Sequence, residues 1–218
     1  MLARKHDAVN LGQGFPDYDT PDFMKQSAIE AIVQGKNQYA IGSGERILRH
    51  AIARHSEHWY GLSFDPDDEI TVTSGATEAL FCSLLAIINP GDEVIVFQPY
   101  YDSYCPAIRM AGGIPIAVTL HAPYFSFNPM ELAQAFSPKT KAIIPVHIFG
   151  QCANMEEILK IAEEHNLYVI EDNAQAIGSE YTFSDGSVKQ AGTMSTVGTT
   201  SFFPSKNLGC YGDGGAIF

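Results

Sequence analysis

Residues 69–80 read EITVTSGATEAL and join a strand pattern to a helix pattern through a tight turn. Glu69 to Thr73 form one of several apolar, strand-like runs in the chain. The small residues Ser74 to Thr77 suit a turn, and Glu78-Ala79-Leu80 favours the first turn of a helix. A strand, a short turn and a helix in this order form the repeating unit of α/β proteins.

The same alternation of apolar runs and amphipathic stretches continues along the chain and predicts a mainly parallel sheet. The seven strand candidates are Glu69 to Thr73, Glu93 to Phe97, Ile114 to Leu120, Lys141 to His147, Leu167 to Glu171, Thr199 to Phe203 and Gly215 to Phe218. Helix start signals stand at Thr20-Pro21, at Thr77 before Glu78, and at Asn154 with Glu157 three residues later. We expect an α/β fold in three layers, α/β/α, around a seven-stranded sheet. No internal repeat or linker divides residues 1–218, so a single domain is expected.

Composition limits the classes of partner. Lys and Arg number 13 against 25 Asp and Glu, so the formal net charge is −12. An acidic surface repels phosphate backbones and anionic lipids, which disfavours nucleic acid and membrane surfaces as partners. Hydrophobic residues make up 45% and charged residues 17%, an ordinary globular mixture that predicts a packed core.

Cysteine spacing and hydropathy indicate the compartment. The four cysteines form no C-x-x-C pair, so neither a disulfide framework nor a zinc site is expected. The apolar stretch from Ala79 to Ile88 has about half of the ~20 residues that a membrane helix needs. The N-terminal residues lack the apolar core of a signal peptide. We therefore expect a soluble, cytoplasmic protein.

The turn over Ser74 to Thr77 is the first candidate site. A small-residue turn lets the free N–H groups at a helix start approach an anion, and Thr77 adds a hydroxyl. This predicts a phosphate-binding turn. The alternative is a tight strand-to-helix turn that binds nothing, because such turns are common in α/β proteins.

The second candidate is Asp172 in the run Val169 to Gln175, which reads VIEDNAQ. It stands just past an apolar strand, at the edge where open α/β sheets bind ligands, and Gln175 follows one short turn later. A carboxylate there can hold a cationic ring nitrogen. The alternative is that Asp172 only caps the next segment.

The third candidate is Lys206, which ends the strand-like run Thr199 to Asn207. A lysine among apolar groups holds its proton less tightly and can form a Schiff base with an aldehyde. The alternative is an ordinary solvated lysine at the end of a strand.

These residues resemble the sites of fold-type I pyridoxal phosphate enzymes, specifically aminotransferases. In that family an Asp pairs with the pyridinium nitrogen, and a Lys about 33 residues later carries the cofactor as an aldimine. In this chain the spacing from Asp172 to Lys206 is 34 residues. The resemblance makes Asp172 and Lys206 the catalytic residues. It implies that Tyr101, 24 positions after Thr77, stacks on the ring, and that the cofactor phosphate is held by Gly75, Ala76 and Thr77.

The first part of the chain resembles class I aminotransferases of the methionine and kynurenine type. The similarity covers about residues 8–120, within a class I-like part over 1–138, and rests on NLGQGFPD at 10–17, NQY at 37–39, TSGATEAL at 73–80 and PYYDSY at 99–104. By this resemblance Gly14 touches the substrate carboxylate and Tyr39 reaches the phosphate of a partner subunit's cofactor. A homodimer follows.

Residues 139–218 instead resemble the DegT/DnrJ/EryC1/StrS sugar aminotransferases. The matching motifs are PVHIFGQ at 145–151, EDNAQA at 171–176 and GTTSFFPSKNLGCYGDGG at 198–215. The resemblance implies that Gln175 contacts the ring hydroxyl side and that Ser201 contacts the phosphate. The chain thus looks like a chimera of two branches, joined near Ser137 to Ile144 by recombination or by construction.

The expected function is pyridoxal 5′-phosphate-dependent transfer of an amino group between an amino acid and a keto acid or keto sugar, through a Lys206 aldimine. The alternative is a truncated or chimeric cofactor-binding domain that folds with little or no turnover, because the family's C-terminal small domain is expected to be absent. A nicotinamide site at Gly42-Ser43-Gly44 lacks a convincing preceding strand and a third glycine. The histidines His50, His55 and His58 interleave with charged residues, which favours a solvated face over a metal site.

Overall fold

The computed structural model describes residues 2–9 and 18–218, and the chain divides into two compact units. The first unit, residues 1–42, contains α1 (Leu2–Lys5) and α2 (Asp22–Val33). Helix α2 begins directly after Pro21, which takes the capping position without a side-chain hydrogen bond. A helix therefore starts where Thr20-Pro21 predicts one, but one residue later, because Pro21 and not Thr20 takes the capping position.

The second unit, residues 43–218, carries all the strands of the described chain. Its elements, in order, are α3 (Arg46–Tyr60), β1 (Thr71–Thr73), α4 (Ala76–Ile87), β2 (Glu93–Gln98), α5 (Tyr104–Met110), β3 (Ile114–His121), β4 (Ser126–Phe127), α6 (Pro129–Ala135), β5 (Thr140–Ile144), α7 (Met155–His165), β6 (Tyr168–Asp172), β7 (Glu180–Thr182), β8 (Val188–Gln190), β9 (Val197–Ser201) and β10 (Gly215–Ile217).

The main sheet has the strand order β1-β10-β9-β6-β5-β2-β3-β4. Strands β9, β6, β5, β2 and β3 are parallel, whereas β10 runs antiparallel to both of its neighbours. All seven predicted strands are present. The short β4 adds an eighth at the edge, where Phe127 pairs with Leu120. Strands β7 and β8 form a separate antiparallel pair.

Helices cover both faces of the sheet, which confirms the three-layer α/β/α prediction. Side chains alternate along a strand, so Val94 and Val96 of β2 pack in one cluster with α4 and α5. Ile95 and Phe97 of the same strand pack in the other cluster, with α6 and α7. A strand that is apolar at every position is the pattern of a sheet buried on both sides.

Two helix starts show how local sequence positions the chain. Helix α4 begins at Ala76, one residue before the predicted Thr77, because Gly75 adopts a positive φ of 89° and turns the chain into the helix. Asn154 stands at the predicted start of α7, but its side-chain amide donates to Glu157 Oε2 (2.7 Å) instead of capping the helix backbone.

Across residues 2–9 and 18–218, no helix combines the length and hydrophobicity that a membrane crossing requires.

Candidate active site

Asp172 lies at the carboxyl end of β6, the central position of the candidate site. Its backbone N–H donates to the carbonyl of Pro145 (3.0 Å), and its carbonyl accepts from the N–H of His147 (2.9 Å). These bonds to the neighbouring strand segment fix the backbone, and the side chain is only 5% exposed. The sequence therefore places this carboxylate on a rigid element rather than on a loop.

The carboxylate has two neutral hydrogen-bond donors. The Tyr104 hydroxyl donates to Oδ2, and the N–H of Ala174 donates to Oδ1 at 2.9 Å. Within the described part of the chain, no Lys, Arg or His forms an ion pair with Asp172. Each carboxylate oxygen can accept more than one hydrogen bond, so Asp172 retains acceptor capacity for a cationic N–H group.

The surroundings of Tyr104 favour the protonated form of its hydroxyl. Burial raises the pKa of the Tyr104 hydroxyl far above its usual value, and the nearby Asp172 charge raises this pKa further. The hydroxyl therefore acts as a donor to Asp172 and not as a competing negative charge.

The start of α4 provides free backbone donors. The first amides of a helix, here those of Ala76 and Thr77, have no acceptor within the helix. The N–H of Ser74 is already bonded to the Glu78 carboxylate. Thr77 is exposed, so its hydroxyl and these amides can meet an anion from solution.

Strand β10 brings the end of β9 next to this helix start. Gly215 pairs with Thr73 of β1 on one side and with Ser201 of β9 on the other. A Cβ at Gly215 would lie 2.6 Å from the carbonyl carbon of Gly75, so only glycine allows this close approach. Ser201 is buried, and its Oγ accepts from the N–H of Phe203 at 3.2 Å. The arrangement places a hydroxyl two strands away from the α4 turn.

Lys206 lies in a turn between β9 and β10, five residues past the end of β9. Its N–H donates to the carbonyl of Phe203 (2.8 Å), and the turn is closed by a bond from the N–H of Cys210 to the carbonyl of Phe202 (2.8 Å). The side chain is half-buried. Among the residues that the structure describes, no carboxylate pairs with its ammonium group.

Tyr101 lies in the segment before α5, and Gln175 lies in the turn after β6. Tyr101 is 57% exposed, and its ring meets the Tyr104 ring edge to face, with centroids 6.0 Å apart and planes at 69°. Gln175 is exposed in the turn after β6, where its carbonyl accepts from the N–H of Gly150 at 3.1 Å. Both side chains can therefore meet a ligand.

The structure brings some of the predicted site residues together, in two groups of the second unit, but no described hydrogen bond or ion pair links Lys206 or Gln175 directly to either group. One group contains Asp172 and Tyr101, joined through Tyr104, and the other contains the α4 turn and Ser201. Tyr39 belongs to the first unit and is 95% exposed. The prediction for Gly14 falls outside the described residues.

Sequence reasoning missed two buried groups beside Asp172. Tyr104 lies three residues after Tyr101 in the PYYDSY motif, and this proximity in sequence is the signal that could have identified it. Glu171 precedes Asp172 and is fully buried with His147, whose Nε2 lies 2.8 Å from Glu171 Oε2. The sequence contains no local signal for that pair, because its members are 24 residues apart.

The rival sites gain no support. Gly44 precedes α3 in a loop, and a Cβ there would lie 2.5 Å from the Cβ of Val72, so this glycine has a packing role. Over residues 2–9 and 18–218, no three His, Cys, Asp or Glu side chains gather as metal ligands do. An apolar cavity of about 430 Å³ between α3 and the sheet, lined among others by Ile52, Phe202 and Phe218, includes none of the predicted cofactor residues.

Comparison with known proteins decides the family. The model of the DegT/DnrJ/EryC1/StrS aminotransferase family matches residues 29–218. The chain belongs to this family. Methionine aminotransferase of Escherichia coli (strain K12) is 41% identical over 177 residues, which make up 78% of this chain and 46% of that relative. A pleiotropic regulatory protein of Geobacillus stearothermophilus is 38% identical over 186 residues, 85% of this chain and 46% of that relative.

Solved structures agree with this assignment to the aminotransferase family. A methionine aminotransferase from Escherichia coli superposes with a TM-score of 0.81 at 33% identity, over 99% of this chain and 59% of that one. N-succinyldiaminopimelate aminotransferase from Mycobacterium tuberculosis gives 0.79 at 36% identity, with the same coverage. The predicted resemblance to both groups of aminotransferases is confirmed. This chain spans about half the length of the curated relatives that it matches.

Aminotransferases of these families use pyridoxal 5′-phosphate, the cofactor that the sequence predicted. The residues present fit that molecule. Asp172 offers acceptor capacity to a protonated ring nitrogen, and the α4 turn offers amides and a hydroxyl to a phosphate. Lys206 offers an amine that no described carboxylate neutralises.

Proposed function

We propose that this chain carries the cofactor-binding large domain of a pyridoxal 5′-phosphate-dependent aminotransferase, which transfers an amino group between an amino acid and a keto acid or keto sugar. The observation that carries this proposal is the buried Asp172 carboxylate, which has two neutral donors, no basic partner among the described residues, and a position at the carboxyl edge of the sheet. A lone buried carboxylate is costly unless a positive group joins it.

Each residue of the site has a defined task in this proposal. The cofactor, when bound, supplies an electron sink for the substrate carbanion. Asp172 holds a proton at the ring nitrogen, since an adjacent negative charge favours the protonated ring. Lys206 binds the cofactor aldehyde through Nζ and later moves the proton at the substrate Cα as general base and acid.

The remaining residues bind and orient. The amides of Gly75, Ala76 and Thr77, together with the hydroxyls of Thr77 and Ser201, hold the phosphate. Tyr101 covers one face of the ring, and Gln175 contacts the ring hydroxyl side. Fixing the plane of the ring lets the reacting Cα bond stand at the required angle.

The proposal extends to the assembly and to the origin of the chain. A homodimer would let Tyr39 reach the phosphate of the partner subunit's cofactor, and Gly14 would contact the substrate carboxylate through its backbone. The class I-like part over residues 1–138 and the sugar-aminotransferase-like part over 139–218 would meet before β5, where the strand pattern continues without interruption. Substrate choice, between amino-acid-type keto acids and keto sugars, then depends on which part forms the substrate pocket.

The first experiment tests cofactor attachment. The protein is incubated with pyridoxal 5′-phosphate, reduced with borohydride and digested, and the modified peptide is located by mass spectrometry. We expect the label on Lys206, and its loss in Lys206→Ala. Lys160→Ala is the matched control, because Lys160 is exposed on α7. A label that is absent, or that is unchanged in Lys206→Ala, contradicts the proposal.

The second experiment tests turnover. Amino transfer from glutamate is measured against a panel of keto acids and keto sugars. We expect product with at least one acceptor, and a fall in rate of about 100-fold or more in Asp172→Asn, because the ring nitrogen loses its stabilising charge. Labelling at Lys206 without product from any acceptor would instead favour a cofactor-binding domain without turnover.

A further inference from the structure

Tyr104 makes a buried hydrogen bond to Asp172, and the proposed function has given this tyrosine no role. It is the first residue of α5 and is 2% exposed, with its hydroxyl donating to Asp172 Oδ2 across 68 positions of sequence. A buried tyrosine hydroxyl needs a hydrogen-bond partner, but a backbone carbonyl would serve equally well. Here the partner is the one carboxylate that the proposed cofactor requires.

Tyr104 also contacts the residue proposed to cover the cofactor ring. Its N–H donates to the carbonyl of Tyr101 (3.2 Å), and the two rings meet edge to face. One buried side chain therefore touches both the carboxylate for the ring nitrogen and the aromatic residue for the ring face. A shift of Tyr104 would move both.

The hydrogen-bond geometry assigns a direction to Asp172. A carboxylate can rotate about its terminal bond, and this torsion is broad when nothing restrains it. In this structure the Tyr104 hydroxyl restrains Oδ2 and the N–H of Ala174 restrains Oδ1. The acceptor positions that remain on the two oxygens are thereby held in one orientation before any ligand arrives, which lowers the entropic cost of binding.

We infer that Tyr104 is a positioning residue, which orients the Asp172 carboxylate toward the cofactor ring nitrogen and holds Tyr101 against the ring. This inference rests on the proposed function. It predicts that Tyr104 affects the cofactor through the ring nitrogen, although its hydroxyl never touches the cofactor. The pKa of Tyr104, raised by burial and by the Asp172 charge, agrees with this role because both causes favour the protonated hydroxyl, which is the donor form.

The test compares two ligands whose difference is the ring nitrogen. Dissociation constants are measured for pyridoxal 5′-phosphate and for the analogue in which a carbon replaces that nitrogen. We expect Tyr104→Phe to weaken binding of the natural cofactor about tenfold, the effect of one lost hydrogen bond to a charged group. Binding of the analogue should change by less than about twofold. Equal weakening of both ligands would overturn the inference.

A matched control separates a local role from a general loss of a tyrosine hydroxyl. Tyr181 is partly buried, and its hydroxyl donates to Asn154 Oδ1 (2.8 Å) and accepts from the N–H of Glu156 (3.3 Å). Tyr181→Phe removes the same atom and breaks two hydrogen bonds. We expect it to leave the ratio of the two dissociation constants unchanged, and a change equal to that of Tyr104→Phe would count against positioning.

A double-mutant cycle tests the route through Asp172. In the Asp172→Asn background, Tyr104→Phe should alter binding of the natural cofactor by less than about twofold, because the two substitutions act on one interaction. Additive losses would overturn the inference. In steady-state kinetics, Tyr104→Phe should lower kcat with little change in KM for the amino substrate.

A measurement on the unmodified protein covers the case in which Tyr104→Phe does not fold. A buried hydroxyl proton bonded to a carboxylate gives a slowly exchanging, far-downfield proton NMR signal. We expect such a signal, lost in Asp172→Ala, which moves on adding pyridoxal 5′-phosphate but not on adding the analogue. A signal indifferent to both ligands overturns the inference. Absence of the borohydride label at Lys206 would instead refute the proposed function itself.

Discussion

The buried pair of Glu171 and His147 predicts a large loss of stability when one charge is removed. The Glu171 carboxylate is fully buried and accepts three hydrogen bonds, from the N–H of Gly192 (2.8 Å), the N–H of Met194 (2.7 Å) and Nε2 of His147 (2.8 Å). His147 Nδ1 accepts from the N–H of Ala153 (3.1 Å), so Nε2 carries the donated proton. The carboxylate thus ties β6 to the loop before β9.

The substitution Glu171→Gln keeps the shape of the side chain but replaces one acceptor oxygen with an N–H₂ donor. At least one of the three donors then faces another donor in a buried place. A lost bond to a charged group costs about 1.5–3 kcal/mol, and a stranded buried donor costs about 1–3 kcal/mol. We therefore expect the free energy of unfolding to fall by about 3 kcal/mol.

The assay is equilibrium unfolding in urea, followed by circular dichroism and extrapolated to water. Glu164→Gln is the control, because Glu164 is exposed on α7 and its substitution should change the free energy by no more than about 0.5 kcal/mol. Hydrogen exchange at the amides of Gly192 and Met194 should quicken in Glu171→Gln. A loss below about 1 kcal/mol, or unchanged exchange at both amides, would refute the reasoning.

Two further predictions concern packing and pH. Gly215→Ala should destabilise the protein by about 2 kcal/mol in the same urea assay, because its Cβ would lie 2.6 Å from the carbonyl carbon of Gly75. Gly42→Ala is the control and should be nearly neutral, because a Cβ there would meet nothing within 4 Å. Equal effects of the two substitutions would contradict the packing argument. A hydrogen bond from Arg46 lowers the pKa of Asp67 below its usual 3.8. The ionised Asp67 side chain therefore stabilises the folded protein above pH 3.8, and this stabilisation is lost as the pH falls through the folded-state pKa. The stability advantage of wild type over Asp67→Asn should therefore be present at about pH 7 and should shrink as the pH falls below 3.8, and a pH-independent difference would be the contrary result.

Local patterns predicted most of the fold because they report on short-range physics. The seven apolar runs are the seven longer strands of the sheet, and Asn154 stands at the start of α7. Four successive residues of β2, Val94 to Phe97, are apolar, and this pattern already indicates a strand covered on both faces. The eighth strand, β4, was not predicted, because its two residues are too few to show a periodic pattern. They form a strand only by pairing with β3.

Part of the candidate site could likewise be predicted from the sequence, and part could not. Asp172, Lys206 and the turn over Gly75 to Thr77 could be selected from sequence, because each stands at a strand end or a helix start and each belongs to a family motif. The family model matches residues 29–218, and methionine aminotransferase of Escherichia coli is 41% identical over 177 residues, so the similarity covers most of this chain. The sequence motifs and their resemblance to a family were therefore enough to nominate these residues, and the cofactor that they imply is the one that aminotransferases of these families use.

The sequence by itself determined the fold class, the family and the identity of the charged groups. The tertiary structure alone decided which neighbours those groups have. Tyr104 meets Asp172 across 68 residues, and Glu171 meets His147 across 24. Such contacts arise where α5 packs on the sheet and where parallel strands lie side by side, and no local propensity encodes them. The orientation of the Asp172 carboxylate is therefore a property of packing, since it depends on a donor that only the assembled layers bring into reach.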